Sequence, residues 1–409
     1  MYRNNITQEQ RLNGYYIILL LLPPLFSCVI SLYILFKIRK LKALLFFGFF
    51  YTICLTYMYP TYDMMLRYWR IHNTDFISIF EGDPLSHLAF YFNNYFDAYY
   101  FLFIYLVVII ILFYKAISFN RNNLSIFIII ICIFGLTWNN FMNLTYFTFA
   151  TVFSLYFMEK YKSKYIIYIP LIFIAYLLHP GILMILLPSI LLHYFLKNAK
   201  YKLAILYIIV YFVFLRIIFG STLAINSNNL FMTNIVDAFN NYTSENSVWG
   251  KNIRDLGLKG NIFDLIQYVS FVIIFYCSIK NISKINTYIS TSFFIIALVT
   301  IVNVYSFYTF SERIRIVAVI SSLIIVSLLY VNKLLSNIIR HSLIILTILQ
   351  FLISNLLFIN PRDELFINEH TSYDISIRTA YIPTFLLVTN IHTFSFSDSY
   401  LLNNSINRN

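Results

Sequence analysis

Acids, arginines and histidines set side by side against apolar helices can hold an anion and move a proton. The 409-residue chain carries such a set between Tyr62 and Phe96, in YDMMLRYWRIHNTDF and the ISIFEGDPLSHLAFYFNNYF that follows. Asp63, Arg67, Arg70, His72, Asp75, Glu81, Asp83 and His87 all fall within it. Asp63 and Arg67, four apart, are neighbours on a helix, free to pair with each other. Arg67 and Arg70, three apart, share a face with planar, always-charged forks suited to phosphate or carboxylate. Glu81 and Asp83 flank Gly82 in EGDPLSH, a spacing that binds a divalent ion or supplies a base, and that equally suits two solvated acids. No metal site is assigned there.

Three further sets lie at the ends of apolar runs. Arg216 stands near the end of IVYFVFLRIIFGS, where an arginine either serves function or snorkels to the interface. His179 opens the turn HPGI; Pro180 and Gly181 interrupt the helix and free backbone groups beside a residue that titrates near neutral pH. SERIRI places Glu312, Arg313 and Arg315 at the mouth of another run, the two arginines on different faces. The Asn- and Ser-rich stretch 220–262, with Tyr242, Trp249, Lys251, Arg254 and Asp255, suits sugar hydroxyls as well as it suits an ordinary loop. Nothing matches a Gly-rich phosphate loop, a nucleophile elbow or a zinc signature, so no cofactor is expected. Cys28, Cys54, Cys132 and Cys277 each sit in an apolar run and read as small buried hydrophobes.

The elements that position these residues are set by composition. The chain is 60% hydrophobic, 20% aromatic and 11% charged, against about 25% charged in a soluble domain. A spanning helix needs about 20 mainly apolar residues. Runs at 15–36, 43–60, 97–116, 124–138, 141–158, 165–179, 181–196, 203–219, 263–279, 287–308, 314–331 and 341–359 predict an all-α, polytopic bundle of about 12 transmembrane spans. The chain reads as one integral membrane domain over 1–409, with long outer loops 61–96 and 220–262. Its segment 360–409 lies outside and includes a re-entrant or interfacial run, 379–396. The first run is followed directly by basic residues and reads as a retained helix, not a signal peptide.

Charge orients the bundle. Alternate loops hold thirteen of the fifteen lysines, with Arg39, Arg121 and Arg340 and the single acid Glu159. The positive-inside rule makes these loops cytoplasmic and puts the N-terminus outside. The outer face then holds sixteen of the seventeen acids, with ten arginines and only Lys251 and Lys259. The net charge of +12 thus marks topology, not a nucleic-acid partner, which would need a contiguous basic face. Lysine suffices for topology, so arginine outside points to anion binding.

The layout resembles the EpsG-like and Wzy-type polysaccharide polymerases of bacterial inner membranes. The resemblance rests on the long outer loop after the second span, the Asn-rich entry WNNFMNLTYFTFATVFSLYF, the LLHPGILMILLP turn and the late ERIRI. Where that family has an arginine before an alanine-rich stretch, Asn143 to Tyr146 has none; His179 matches a family histidine. The resemblance implies joining of undecaprenyl-pyrophosphate-linked oligosaccharide repeats on the outer face of the cytoplasmic membrane, for O-antigen, capsule or exopolysaccharide. It implies a lipid-linked glycan as substrate, the bilayer as surroundings, and a chain-length regulator and a flippase as partners. Arg216, Arg67, Arg70, Arg313 and Arg315 are then candidates to hold the pyrophosphate or glycan, and Asp63, His179 and Glu312 are candidates for the catalytic base. A multi-spanning glycosyltransferase using a lipid-phosphate sugar, with Glu81 and Asp83 as its acid pair, is the enzymatic alternative. A lipid-linked oligosaccharide flippase is the alternative from another class, and a membrane acyltransferase a third.

Overall fold

The computed structural model describes residues 8–38, 41–56, 145–162, 164–219, 257–285, 287–305, 308–359 and 380–389. Among these residues there is no strand. In chain order the helices are α1 (Gln8–Leu21), α2 (Pro24–Ile38), α3 (Leu41–Thr56), α4 (Thr145–Lys160), α5 (Tyr168–Leu178), α6 (Leu183–Lys197) and α7 (Tyr201–Ile218). There follow α8 (Gly257–Lys280), the single turn α9 (Ile282–Ile285), α10 (Tyr288–Asn303), α11 (Tyr308–Val331), α12 (Asn337–Ile359) and α13 (Thr384–Thr389). The fold is therefore all-α. The runs 97–116 and 124–138, the loop 61–96 and most of the loop 220–262 lie outside the described residues. The chain divides into two compact units: residues 1–75, 88–111 and 361–409 form one, and 76–87 with 112–360 the other.

In the first unit the expected span 15–36 is broken at Leu22 and Pro23, between α1 and α2. Pro23 and Pro24 lack the N–H groups that would continue the ladder, and Pro at the first helical position starts α2 instead. The carbonyls freed by the break need donors. Ser27 Oγ donates to Leu19 O at 2.5 Å, and both the N–H and the Oγ1 of Thr384 donate to Leu22 O, at 2.9 and 2.6 Å. Thr384 opens α13, and Pro383 interrupts the helix there too. The C-terminal run thus caps the break in the N-terminal one. Tyr16 stacks on Phe46, and Leu19 and Phe50 complete a small core.

In the second unit α10 and α11 pack along each other at the centre, with α6 against α10, α4 against both, and α8 and α12 alongside. Every residue from Ile289 to Ala297 and from Ile314 to Leu329 is buried. Helices apolar on all sides belong in such a position. Their serines and threonines, Thr291, Ser292, Thr300, Ser321, Ser322 and Ser327, satisfy themselves by donating to carbonyls three or four residues back.

Helix α7 is the opposite case. It packs one stripe, Ala204, Tyr211 and Leu215, and exposes Leu203, Ile205, Leu206, Ile209, Val210, Phe212, Val213, Phe214 and Ile217. Among the described residues two stretches are long and apolar enough to cross a membrane, Tyr201–Ile218 and Arg313–Val331. The first is 17% buried and the second 89%. Apolar counting found the middles of the helices and missed their polar ends. α8 begins at Gly257 and α11 at Tyr308, each at least a turn before the apolar run, so SERIRI is helical.

The contacts sort the second unit into two ends. At one, Lys197 Nζ donates to Lys162 O and Tyr165 OH, and the start of α10 meets the end of α4. This is the lysine end. At the other, Phe219 lies against Phe310, with ring centroids 5.4 Å apart, and the first turns of α11 meet the first turns of α8. This is the arginine end.

Candidate functional site

The arginine end is built around α11. Arg313 and Arg315 fall in its first two turns and both are buried, 7% and 5% exposed. A guanidinium leaves water only if its donors find acceptors. For Arg315 the acceptor is Asp264, on the second turn of α8: Nη1 donates to Oδ1 at 2.6 Å and Nη2 to Oδ2 at 3.1 Å. This is the fork-on-carboxylate geometry, which fixes orientation as well as charge. Nη2 also donates to Tyr268 OH at 2.8 Å, and the guanidinium lies 5.3 Å from the centre of that ring. Asp264 and Tyr268 are four apart on α8, so one helix face supplies both partners. Tyr305, just after α10, has its ring 6.5 Å from that of Tyr268. On α8, α10 and α11 respectively, Gln267 Oε1, Asn303 Oδ1 and Ser311 Oγ are buried without a hydrogen bond.

His179 caps α5 in extended backbone. Its Nδ1 accepts the N–H of Gly181 at 3.1 Å, and its ring meets Phe147 edge-on at 5.1 Å. A neutral imidazole whose Nδ1 accepts carries its proton on Nε2. A Cβ on Gly181 would stand 3.1 Å from the His179 ring, tighter than an ordinary contact, so the imidazole would have to shift slightly.

Among the other candidates, Arg216 is exposed on α7 while Leu215 and Phe219 beside it turn inward. Its side chain lies on the apolar outer face of α7, not on the packed stripe. The backbone of Glu312 lies in α11 between Ser311 and Arg313. Asp63, Arg67 and Arg70 lie outside the described residues, as do Glu81 and Asp83. The structure thus brings Arg315 together with Asp264 and Tyr268, two residues the sequence reading passed over. The signal was there: Asp264 is an acid inside the apolar run FDLIQYVSF, and such an acid calls for a named partner.

The lysine end holds the second charged group. Glu159 is 3% exposed. Thr287 Oγ1 donates to its Oε1 at 2.5 Å and Ser290 Oγ at 3.3 Å. The carboxyl thereby caps the first turn of α10 from another helix. Burial pushes the Glu159 carboxyl up from its ordinary value, against the pull of Thr287, Lys162 and Ser290. Among the described residues, groups of three or more metal-ligating side chains do not occur. Cys54 and Cys277 are buried free thiols and Cys28 is half-buried.

Comparison with protein-family models, with curated proteins and with solved structures returns no match.

Proposed function

We propose that this chain is an integral membrane glycan polymerase that joins lipid-pyrophosphate-linked oligosaccharide repeats. The observation that carries this reading is the pair of buried arginines in the first turns of α11, one of them held by a carboxylate in a fixed fork. The bilayer reading rests on α7, whose apolar outer face is an ill fit to water and a good fit to lipid. The fuller arrangement would be about 12 spans with the lysine end in the cytoplasm and the arginine end outside.

In the reaction the acceptor hydroxyl oxygen attacks the anomeric carbon of the growing chain. The bond from that carbon to the pyrophosphate oxygen breaks, and the lipid pyrophosphate leaves with the electron pair. The hydroxyl proton goes to a base. Fixed guanidinium groups stabilise the charge gathering on the leaving group, because they need no reorganisation as it forms. Asp264 and Tyr268 hold the Arg315 fork, and the adjacent N-terminus of α11 adds positive potential. Arg313, Arg216, Arg67 and Arg70 are the other cations assigned to the pyrophosphate and glycan. Asp63, His179 and Glu312 are the candidates for that base. The activated donor makes a nucleotide unnecessary. A flippase delivering repeats and a chain-length regulator complete the expected partnership.

The test is chain extension by point variants at normal membrane levels. Arg313→Ala and Arg216→Ala should each stop extension, leaving one repeat on the carrier. Lys162→Ala, whose side chain serves orientation, should extend normally. Long glycan in the Arg313→Ala strain would remove that arginine from the site.

A further inference from the structure

Four packed helices bring a set of buried polar groups to the lysine end, and the polymerase reading uses none of them. Glu159 closes α4, Tyr168 opens α5, Ser189 and His193 lie four apart on one face of α6, and Thr287 and Ser290 start α10. Glu159 and His193 are 3% and 2% exposed. Glu159 Oε2, Tyr168 OH, Ser189 Oγ and both nitrogens of His193 are buried and make no hydrogen bond. Tyr168 lies in the field of Glu159, and Lys162 acts on both Glu159 and His193. The Tyr165 ring is 5.6 Å from that of Tyr168 and 6.5 Å from that of His193, centre to centre. A chain of neighbours therefore links the carboxyl to the imidazole.

Orphaned polar groups of this kind are satisfied in proteins by ordered water, which needs two to four polar partners. The inventory fits. Glu159 offers a carboxyl oxygen, Tyr168 and Ser189 offer hydroxyls that donate or accept, and a neutral His193 offers one donor and one acceptor. Charge points the same way. Among the described residues no cation stands within ion-pair distance of the Glu159 carboxyl, which takes the hydroxyls of Thr287 and Ser290, the Ser290 backbone and the more distant field of Lys162. A buried carboxyl without a counter-ion is kept neutral by a proton or balanced by a bound cation. Lys160, Lys162, Lys197, Lys284 and Lys333 at the same end disfavour a second cation.

We propose that Glu159, Tyr168, Ser189 and His193 enclose ordered water at the lysine end, and that this water-linked set holds one exchangeable proton on the Glu159 carboxyl. The proton moves between Glu159 and His193 through that water. The charged groups that bear on it are Lys162 after α4, which acts on both Glu159 and His193, and Lys197 on α6, which acts on His193, with the Tyr165 ring alongside. From α10 only the uncharged Thr287 and Ser290 reach the carboxyl.

The experiment is infrared difference spectroscopy of the full-length chain in lipid nanodiscs, stepped through neutral pH in ordinary and heavy water. The expected result is a protonated-carboxyl band that disappears in Glu159→Gln, shifts in heavy water within the mixing time, and changes its titration midpoint in His193→Gln. Glu159→Gln retains an oxygen for Thr287, and the wild-type isotope shift needs no variant, so misfolding cannot mimic the result. A spectrum with no such band at neutral pH overturns the proposal. So does a band insensitive to heavy water over hours, which marks a dry carboxyl. Loss of the band on adding sodium or potassium ion alone would also overturn it, by putting a cation where the proton is assigned.

Discussion

The two ends of the second unit bury opposite charges and treat them differently. At the arginine end a guanidinium meets a carboxylate and a phenol, and its fork is filled on two sides. At the lysine end a carboxyl meets two hydroxyls through one oxygen, while its other oxygen and a nearby imidazole are left without partners. The first arrangement fixes a charge in place. The second leaves buried polar atoms without protein partners. The proposed glycosyl transfer would draw on the arginine end, where the sequence concentrates planar cations.

The contrast can be broken most strongly at the ion pair. Arg315→Met or Asp264→Leu alone leaves a buried charge without its partner and should cost about 3–5 kcal/mol. The double variant Arg315→Met with Asp264→Leu should recover most of that, and thermal unfolding of the four proteins gives the coupling directly. At the lysine end Glu159→Leu should cost far less, because it removes an incompletely satisfied carboxyl together with its desolvation. Equal losses at both ends, measured in the same unfolding series, would erase the distinction.

A smaller effect sharpens the arginine end. Tyr268→Phe removes a hydrogen bond to a charged group and should cost about 1.5–3 kcal/mol, read as a lowered midpoint of unfolding. Gly181→Ala pushes a Cβ toward the His179 ring and should cost about 1–3 kcal/mol. It should also disturb the imidazole, visible as a change in the histidine nitrogen resonances. The smallest effect belongs to the lysine end. Ala199 closes α6 with a φ of 55°, a left-handed conformation that costs an alanine roughly 1–2 kcal/mol. Ala199→Gly should therefore stabilise the protein by up to about 1 kcal/mol.

Much of this was readable in the residues. Apolar runs located helices and SERIRI and HPGI marked the arginine end, but the run 15–36 was read as one helix across the Pro23-Pro24 pair that in fact divides it. The break at Leu22 was legible as two prolines, but its repair by Thr384 spans almost the whole chain and no local pattern encodes it. The same holds for Asp264 and Arg315, 51 residues apart. Counting acids by side of the membrane filed Asp264 with the loops, although it sits within an apolar run beside Tyr268 at a helical spacing. Glu159 stood out only as the lone acid among lysines, and His193 was hidden among leucines. Tertiary pairing decides the role of a buried charge, and periodicity reports only that its helix exists.

The most direct measurement is the glycan length profile of a strain lacking this chain, together with the side of the membrane on which its lipid-linked repeats collect. A polymerase acting at an outward arginine end predicts single repeats on the carrier lipid, accumulating on the outer face and extended again on complementation. Full-length glycan in the deletion strain, or repeats trapped on the cytoplasmic face, would contradict it.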